Sequence, residues 1–171
     1  MAITTRDLDA THDFYTEAMG FELVKAVVAP TDQPDAWAKH LFYDTGGDGL
    51  LAVWEIHDGS LGDFDPALPT GLGLPAWANH LAFTAHDVDD LHARRQHWLD
   101  QGIDVVEIDH GFCRSIYTLD PNGTMIEWCA DTRVLDAKDR DAAERTRTEA
   151  QPQLETAPTP IVHRAPAPVT S

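Results

Sequence analysis

The chain has few basic residues. Its 171 residues include 12 lysines and arginines against 29 aspartates and glutamates, which gives a net charge of −17. Binding to nucleic acid depends largely on cations that neutralise phosphates, and a surplus of negative charge opposes it. This composition predicts that nucleic acid is not a partner.

Long apolar runs are also missing. No stretch of the sequence has the roughly 20 consecutive apolar residues that a membrane-spanning helix needs. The first residues lack the basic region and following apolar run of a signal peptide. We therefore expect neither a membrane partner nor a secretion signal.

Cysteine is scarce, with Cys113 and Cys129 as the two examples. Their spacing is not that of a metal-binding CxxC pair. Two thiols in a chain of this size indicate a reducing compartment, so we expect a cytoplasmic protein. We interpret both cysteines as ordinary strand residues.

What the chain does contain is an internal repeat. Residues 1–56 and 77–131 each follow the pattern of a strand, a helix and three strands, and residues 57–75 form a linker rich in glycine, proline and aspartate. Asp7 and Asp87 lie at equivalent positions, each preceding a helix as an N-cap. A repeat of one supersecondary unit decides the fold. The sequence predicts an α+β fold of two tandem βαβββ modules whose mixed sheets close a cup.

The composition shifts beyond Asp131, so we place the domain at residues 1–131 and a tail at 132–171. Residues 134–150 are highly charged and are compatible with a solvated helix. Residues 151–171 are rich in proline, alanine and threonine and contain few large apolar side chains. Such a segment buries too little surface to offset the entropy lost on ordering, which predicts disorder.

Three polar residues stand out in the second module. His80 alternates with small residues on one face of a predicted strand. Tyr117 and Glu127 lie about equally far from the tight turn that Asp-Pro-Asn-Gly predicts at residues 120–123, which makes them near cross-strand neighbours. We expect a histidine, a tyrosine and a glutamate to face one cavity. The remaining histidines are expected at the surface, His40 with the least support because it begins a strand next to the cup.

The doubled module, with His80 opening its second copy and Glu127 in its last strand, resembles the vicinal oxygen chelate superfamily over about residues 1–130. That superfamily includes glyoxalase I, fosfomycin-resistance enzymes, methylmalonyl-CoA epimerase, extradiol dioxygenases and bleomycin-binding proteins. The resemblance implies that His80 and Glu127 are ligands of a divalent metal. Imidazole and carboxylate donors suit Fe(II), Mn(II), Zn(II) or Ni(II).

The resemblance also implies a first ligand that this sequence lacks, because the position equivalent to His80 falls one residue before Met1. We expect the true start to lie upstream; the alternative is a protein that binds metal weakly or not at all. The first module places apolar Val53 at the position of Glu127. Glu55, two residues further on, is a less favoured fourth ligand, and a solvated carboxylate at the rim is the preferred interpretation.

Three functions follow from the resemblance. The favoured one is an extradiol-dioxygenase-like enzyme with Fe(II), acting on a small molecule with vicinal oxygens such as a catechol. In it Tyr117 hydrogen-bonds a substrate oxygen and His110 is an acid–base residue. The alternatives are a glyoxalase- or epimerase-like lyase or isomerase, and a non-catalytic protein that binds a drug-like molecule between aromatic residues (Trp37, Trp54, Trp77 and Phe112). The superfamily builds its cup within one chain or across a homodimer, and both remain open.

Overall fold

The computed structural model describes residues 1–47 and 49–167. The chain divides into two compact units. The first contains Met1–Leu81 and the hairpin turn Leu119–Ile126, and the second contains Ala82–Thr118 and the chain from Glu127 onward. The turn of the last hairpin is therefore built into the first unit.

The first module has the predicted order of elements. A four-stranded sheet has the order β1-β4-β3-β2, with β1 parallel to β4 and the other pairs antiparallel. A helix and a π-helical segment connect β1 to β2. The elements are β1 (Ala2–Thr5), α1 (Leu8–Asp13), the π-helical segment (Phe14–Ala18), β2 (Glu22–Pro30), β3 (Trp37–Asp44) and β4 (Leu50–His57).

The second module repeats this order and adds one strand. Its sheet has the order β5-β8-β7-β6-β9. The elements are β5 (His80–Thr84), α3 (Val88–Asp100), β6 (Val105–Asp109), β7 (Cys113–Leu119), β8 (Met125–Asp131) and β9 (Ile161–His163). The prediction of an α+β fold from two βαβββ modules is confirmed.

The helix boundaries follow from local chemistry. The Asp7 carboxylate accepts a hydrogen bond from the Ala10 N–H at 3.0 Å, and the Asp87 carboxylate accepts one from Asp90 N–H at 2.9 Å. Each bond satisfies an N–H group that the first turn of a helix leaves without a partner. Gly102 follows α3 with a φ of 79°, a left-handed conformation that favours glycine.

The segment between the modules is partly helical. It contains α2 (Leu68–Gly71) and a 3₁₀ turn (Ala76–Ala78), both in the first unit. Within the described part of the chain, every helix is too short or too polar to cross a bilayer.

The tail differs from its prediction. Helix α4 (Ala137–Thr148) is the expected solvated helix, and none of its residues is buried. However, the prediction of disorder is wrong for Ile161–His163, which forms strand β9 and pairs antiparallel with β6. Composition missed this strand because backbone bonds and an ion pair hold it, whereas Ile161 and Val162 remain more than half exposed. The end of the predicted tail, residues 168–171, lies outside the described residues.

A buried polar network holds the turn of the last hairpin in the first unit. The Tyr15 hydroxyl donates to Asp120 Oδ2 at 2.9 Å. The Thr5 hydroxyl donates to Asn122 Oδ1 at 2.8 Å, and Asn122 Nδ2 donates to Thr11 Oγ1 at 3.1 Å. All five side chains are buried. These bonds fix the turn against β1 and α1 and stabilise the first unit.

Candidate functional site

A cavity of about 480 Å³ lies in the first unit. Its walls come from β1, the start of β5 and the segment at residues 64–69. The apolar lining includes Ile3, Phe64 and Leu68, and the polar groups are few: Thr4, Asp65, Asn79, His80 and Thr124. A cavity of this size, mostly apolar with a small number of polar groups, is typical of a small-molecule site.

His80 begins β5, directly after the 3₁₀ turn. Its Nδ1 lies 3.1 Å from the backbone oxygen of Trp77. A carbonyl oxygen only accepts hydrogen bonds, so Nδ1 carries the proton of the neutral ring. In this tautomer the lone pair of the neutral imidazole is on Nε2. That nitrogen can then bind a metal ion or accept a hydrogen bond from a substrate. His80 lines the cavity. That it shares one cavity with Tyr117 and Glu127 stays a prediction.

Tyr117, Glu127 and His110 meet in the second unit. The Tyr117 hydroxyl donates to Glu127 Oε1 at 3.1 Å, as the cross-strand prediction requires. His110 Nε2 lies 3.0 Å from the same hydroxyl oxygen. Because the single phenol proton is directed at the carboxylate, the oxygen accepts the bond from His110 Nε2–H. The three side chains form a hydrogen-bond chain that runs from His110 through Tyr117 to Glu127.

The protonation of Tyr117 follows from its surroundings. Burial raises its pKa to about 12, and the charge of Glu127 contributes in the same direction. Removing a proton from this phenol would place a second negative charge beside a carboxylate that is itself buried. Tyr117 therefore remains a hydrogen-bond donor throughout the neutral pH range.

His80 and Glu127 are of the residue types that bind a divalent metal, but two side chains are fewer than a metal site usually has. His80 offers an imidazole nitrogen and Glu127 a carboxylate oxygen, a combination that suits the metals of the non-haem Fe(II) and Zn(II) classes. Among residues 1–47 and 49–167, no group of three or more His, Cys, Asp and Glu side chains is arranged to hold an ion. Binding of one ion by His80 and Glu127 together stays a prediction.

Glu55 occupies an ion cluster on the first sheet. Its carboxylate lies 2.7 Å from Lys39 Nζ and 2.9 Å from His57 Nε2. Burial favours a higher pKa for Glu55, but the hydrogen bonds and charges of Lys39 and His57 outweigh it and lower the pKa. Glu55 pairs in register with Thr5, whereas Thr4 of the cavity wall pairs with Trp54. Alternation places Glu55 on the opposite face from Thr4. The ion pairs of Glu55 with Lys39 and His57 occupy its carboxylate and weaken its case as a ligand.

The described cavity lining does not include the four aromatic residues that the sequence suggested for a drug-binding wall. Trp37 and Trp54 lie on β3 and β4 of the first sheet, and Trp77 lies in the 3₁₀ turn. Phe112 precedes β7 and is 40% exposed. The wall that the structure provides is instead built from Phe64, leucine, isoleucine and proline side chains.

Sequence reasoning missed a carboxylate cluster in the second unit. Glu107 in β6 is 6% exposed and pairs with the guanidinium of Arg95 in α3. His163 Nε2 of β9 lies 2.9 Å from Glu107 Oε2. Burial alone would raise the pKa of Glu107, but the bonds from Arg95 and His163 outweigh it and lower the pKa. A charged residue in the middle of an apolar strand was the available signal.

His40, for which a surface position had the least support, is half-buried. Its ring stacks on Trp54 with centroids 3.5 Å apart and an interplanar angle of 11°. Burial lowers its pKa, so the ring is neutral at neutral pH. The strand pairing of His40 with Trp54 brings the two rings together.

Several known structures share this fold. The first is a glyoxylase/bleomycin resistance protein/dioxygenase domain from Frankia sp. EAN1pec, 22% identical, with 77% of this chain and 94% of that chain covered and a TM-score of 0.55. A lactoylglutathione lyase from Agrobacterium tumefaciens is 22% identical over 76% of this chain and 90% of its own, with a TM-score of 0.52. The fosfomycin resistance protein FosX from Listeria monocytogenes is 17% identical over 82% and 93%, with a TM-score of 0.50.

No curated protein sequence matches the chain significantly. At these levels of identity the structural similarities establish the fold alone. The profile of one protein family, however, matches residues 1–128, which is most of the chain and both modules. The chain therefore belongs to the Glyoxalase/Bleomycin resistance protein/Dioxygenase superfamily.

Proposed function

We propose that this protein binds a small organic molecule in the cavity of the first unit and that His80 contacts an oxygen atom of that molecule. The observation that carries the proposal is the position of His80, with its Nδ1 proton held by the Trp77 carbonyl, in a largely apolar cavity of about 480 Å³. Apolar walls supply affinity through burial, and the few polar groups orient the ligand. A molecule with vicinal oxygens, such as a catechol, suits this arrangement.

Replacing His80 with alanine is expected to weaken the binding of catechol at least about tenfold, because a hydrogen bond to a buried ligand oxygen is worth roughly 1.4 kcal/mol. Isothermal titration calorimetry of the full chain measures the change. His86→Ala is the matched control, since His86 is exposed, bonds to Asp87 and does not line the cavity. Equal affinities for His80→Ala and the unchanged protein would contradict the proposal.

A second candidate function is metal-dependent catalysis, and the hydrogen-bond chain from His110 to Glu127 favours it. We propose that His80 and Glu127 hold Fe(II) in an extradiol-dioxygenase-like enzyme. The bound metal would bring a catecholate and O2 together. His110 would take a proton from a substrate hydroxyl at Nδ1, and Tyr117 would keep its ring oriented through the Nε2–H bond. A glyoxalase-like isomerisation is the alternative reaction for the same residues.

Tyr117→Phe is expected to lower turnover by about 100-fold while changing KM little, because the change removes the bond that orients His110 and a correctly placed general acid–base group contributes roughly 10² to 10⁴ in rate. The measurement is Fe(II)-dependent O2 uptake with catechol. Tyr43→Phe is the matched control, since Tyr43 is a tyrosine on a strand of the first sheet.

Isomerisation of a thiol adduct with Ni(II) or Co(II), without O2 uptake, would indicate the lyase. Catechol binding that is unaffected by a chelator, without turnover, would indicate a binding protein.

A further inference from the structure

The first sheet carries two stacks of a histidine on a tryptophan. His40 of β3 lies on Trp54 of β4, with ring centroids 3.5 Å apart and an angle of 11°. Trp37 of β3 lies on His57 of β4, with centroids 3.7 Å apart and an angle of 9°. Both are directly paired residues of the same antiparallel ladder. They are three positions apart along β3, so they lie on opposite faces of the sheet.

The two stacks differ in the partner of the Nε2 atom of the histidine. His57 Nε2 lies 2.9 Å from a carboxylate oxygen of Glu55. His40 Nε2 is shielded from solvent and has no hydrogen-bond partner in the part of the chain that the structure describes. An unsatisfied buried polar atom costs roughly 1 to 3 kcal/mol and calls for an explanation. The Glu55–His57 pair shows that this sheet provides a partner for the histidine of the other stack.

The position of His40 relates it to the cavity. Trp54 pairs in register with His40 on one side and with Thr4 on the other, and Ala52 pairs with Ala2. Directly paired residues on neighbouring strands point to the same side of a sheet. The cavity-lining residues Ala2 and Thr4 therefore share a face with His40 and Trp54. The stack therefore lies on the face of the sheet to which Ala2 and Thr4 belong.

The surroundings define what could bond to Nε2. Trp54 stacks on one side of the imidazole, and the Phe42 ring is tilted by 49° with its centroid 4.1 Å away. Ala38 and Ala52 are the small residues on this face, and both are buried. An aromatic, neutral environment favours a planar, uncharged partner, and a hydroxyl can both donate to and accept from a neutral imidazole.

We propose that His40 selects for a ring-bearing ligand with a hydroxyl group, which packs beside the stack and hydrogen-bonds to His40 Nε2. This inference rests on the proposed function and extends it by naming the ligand class and a second residue that recognises it. Because Nε2 is shielded, neighbouring side chains have to shift for the hydroxyl to reach it, and Trp54 is in direct contact with the imidazole ring. Trp54 thus reports on binding, and His40 determines the preference for the hydroxyl.

The test compares phenol with toluene, which has a similar shape and no hydroxyl. Binding is followed by NMR through the indole N–H of Trp54 and the ring nitrogens of ¹⁵N-labelled histidine. The protein is expected to bind phenol at least about tenfold more tightly than toluene, the gain from one hydrogen bond to a buried group. His40→Phe keeps a ring in the stack and removes the nitrogen, and it should abolish this preference while leaving the toluene affinity within about twofold.

His57→Phe is the matched control, since it alters the other stack and should keep the preference for phenol. Folding of His40→Phe is checked by thermal denaturation, and its Tm should be unchanged or higher because an unpaired buried nitrogen is removed. A preference for phenol that persists in His40→Phe overturns the inference. Shifts at the His80 ring nitrogens without shifts at His40 and Trp54 also overturn it and leave the proposed function intact. If phenol causes no shift anywhere, both proposals fail.

Discussion

Replacing Asp120 with alanine is expected to lower the free energy of unfolding by about 4 kcal/mol. The Asp120 carboxylate accepts from the Tyr15 hydroxyl at 2.9 Å, from Asn122 N–H at 2.9 Å and from Thr124 N–H at 2.8 Å. It is 4% exposed, so water cannot replace these bonds without rearrangement. Each donor left buried and unpaired costs roughly 1 to 3 kcal/mol, and the three losses are only partly additive. Urea denaturation measures the change.

The first module provides a matched control for Asp120. Asp44 ends β3 just before the turn to β4, and its carboxylate accepts from Gly46 N–H at 2.8 Å, but the side chain is exposed. Asp44→Ala should change the stability little, because solvent can satisfy the freed N–H group. If Asp120→Ala and Asp44→Ala destabilise the protein equally, the buried network does not hold the turn.

Asp120 also predicts a pH dependence. Burial raises its pKa, and the hydrogen bonds that it accepts offset this only in part. A carboxyl whose pKa is higher in the folded than in the unfolded state binds more protons when folded. Its contribution to stability is therefore greatest below the unfolded pKa and falls as the pH rises through the folded pKa. Asp120→Asn should lack this component, which a comparison of urea midpoints across acid pH detects.

Replacing Glu107 with glutamine is expected to lower the free energy of unfolding by about 3 kcal/mol and to release β9 from the sheet. Arg95 and His163 would be left without their carboxylate in a site where their side chains are 24% and 26% exposed. Removing one partner of a buried ion pair leaves an uncompensated charge and costs roughly 3 to 5 kcal/mol, less where solvent has partial access. Urea denaturation and amide hydrogen exchange at residues 161–163 measure the two effects.

The sign of the pH effect is opposite for Glu107. The pKa of Glu107 is lowered in the folded state, so its contribution to stability is present above the unfolded pKa and is lost as the pH falls through the folded pKa.

Glu144→Gln on α4 is the control for Glu107→Gln. The ion pair of Glu144 with Arg147 is exposed, so this substitution should leave the stability unchanged. Amide protection of β9 that is unchanged in Glu107→Gln would show that backbone pairing alone holds the strand.

The sequence predicted the features that depend on local rules. The N-caps at Asp7 and Asp87 require one carboxylate three residues before an N–H group, and both are confirmed. The approach of Tyr117 to Glu127 follows from their equal distance to one turn. Both kinds of feature involve residues at most ten positions apart, where propensity and register largely determine geometry.

Other features of the fold depend on contacts between residues that are far apart in the sequence, and local sequence rules do not predict such contacts. The bond from Tyr15 to Asp120 spans 105 positions, and that between Glu107 and His163 spans 56. The sequence identifies Asp120 as a turn residue, but nothing in Asp-Pro-Asn-Gly indicates that its carboxylate is buried. The stack of His40 on Trp54 requires the register between β3 and β4, which the hairpin loop length defines only approximately.

The membership of Leu119–Ile126 in the first unit has a consequence for synthesis on the ribosome. The residues of β1 and α1 leave the exit tunnel long before Asp120 and Asn122 are translated. The bonds that join Thr5, Thr11 and Tyr15 to those two residues therefore form only afterwards. Contacts between residues so far apart in the sequence form late, and they make folding slower. The amino-terminal half is therefore expected to stay incomplete, and open to chaperones, until the last hairpin has emerged.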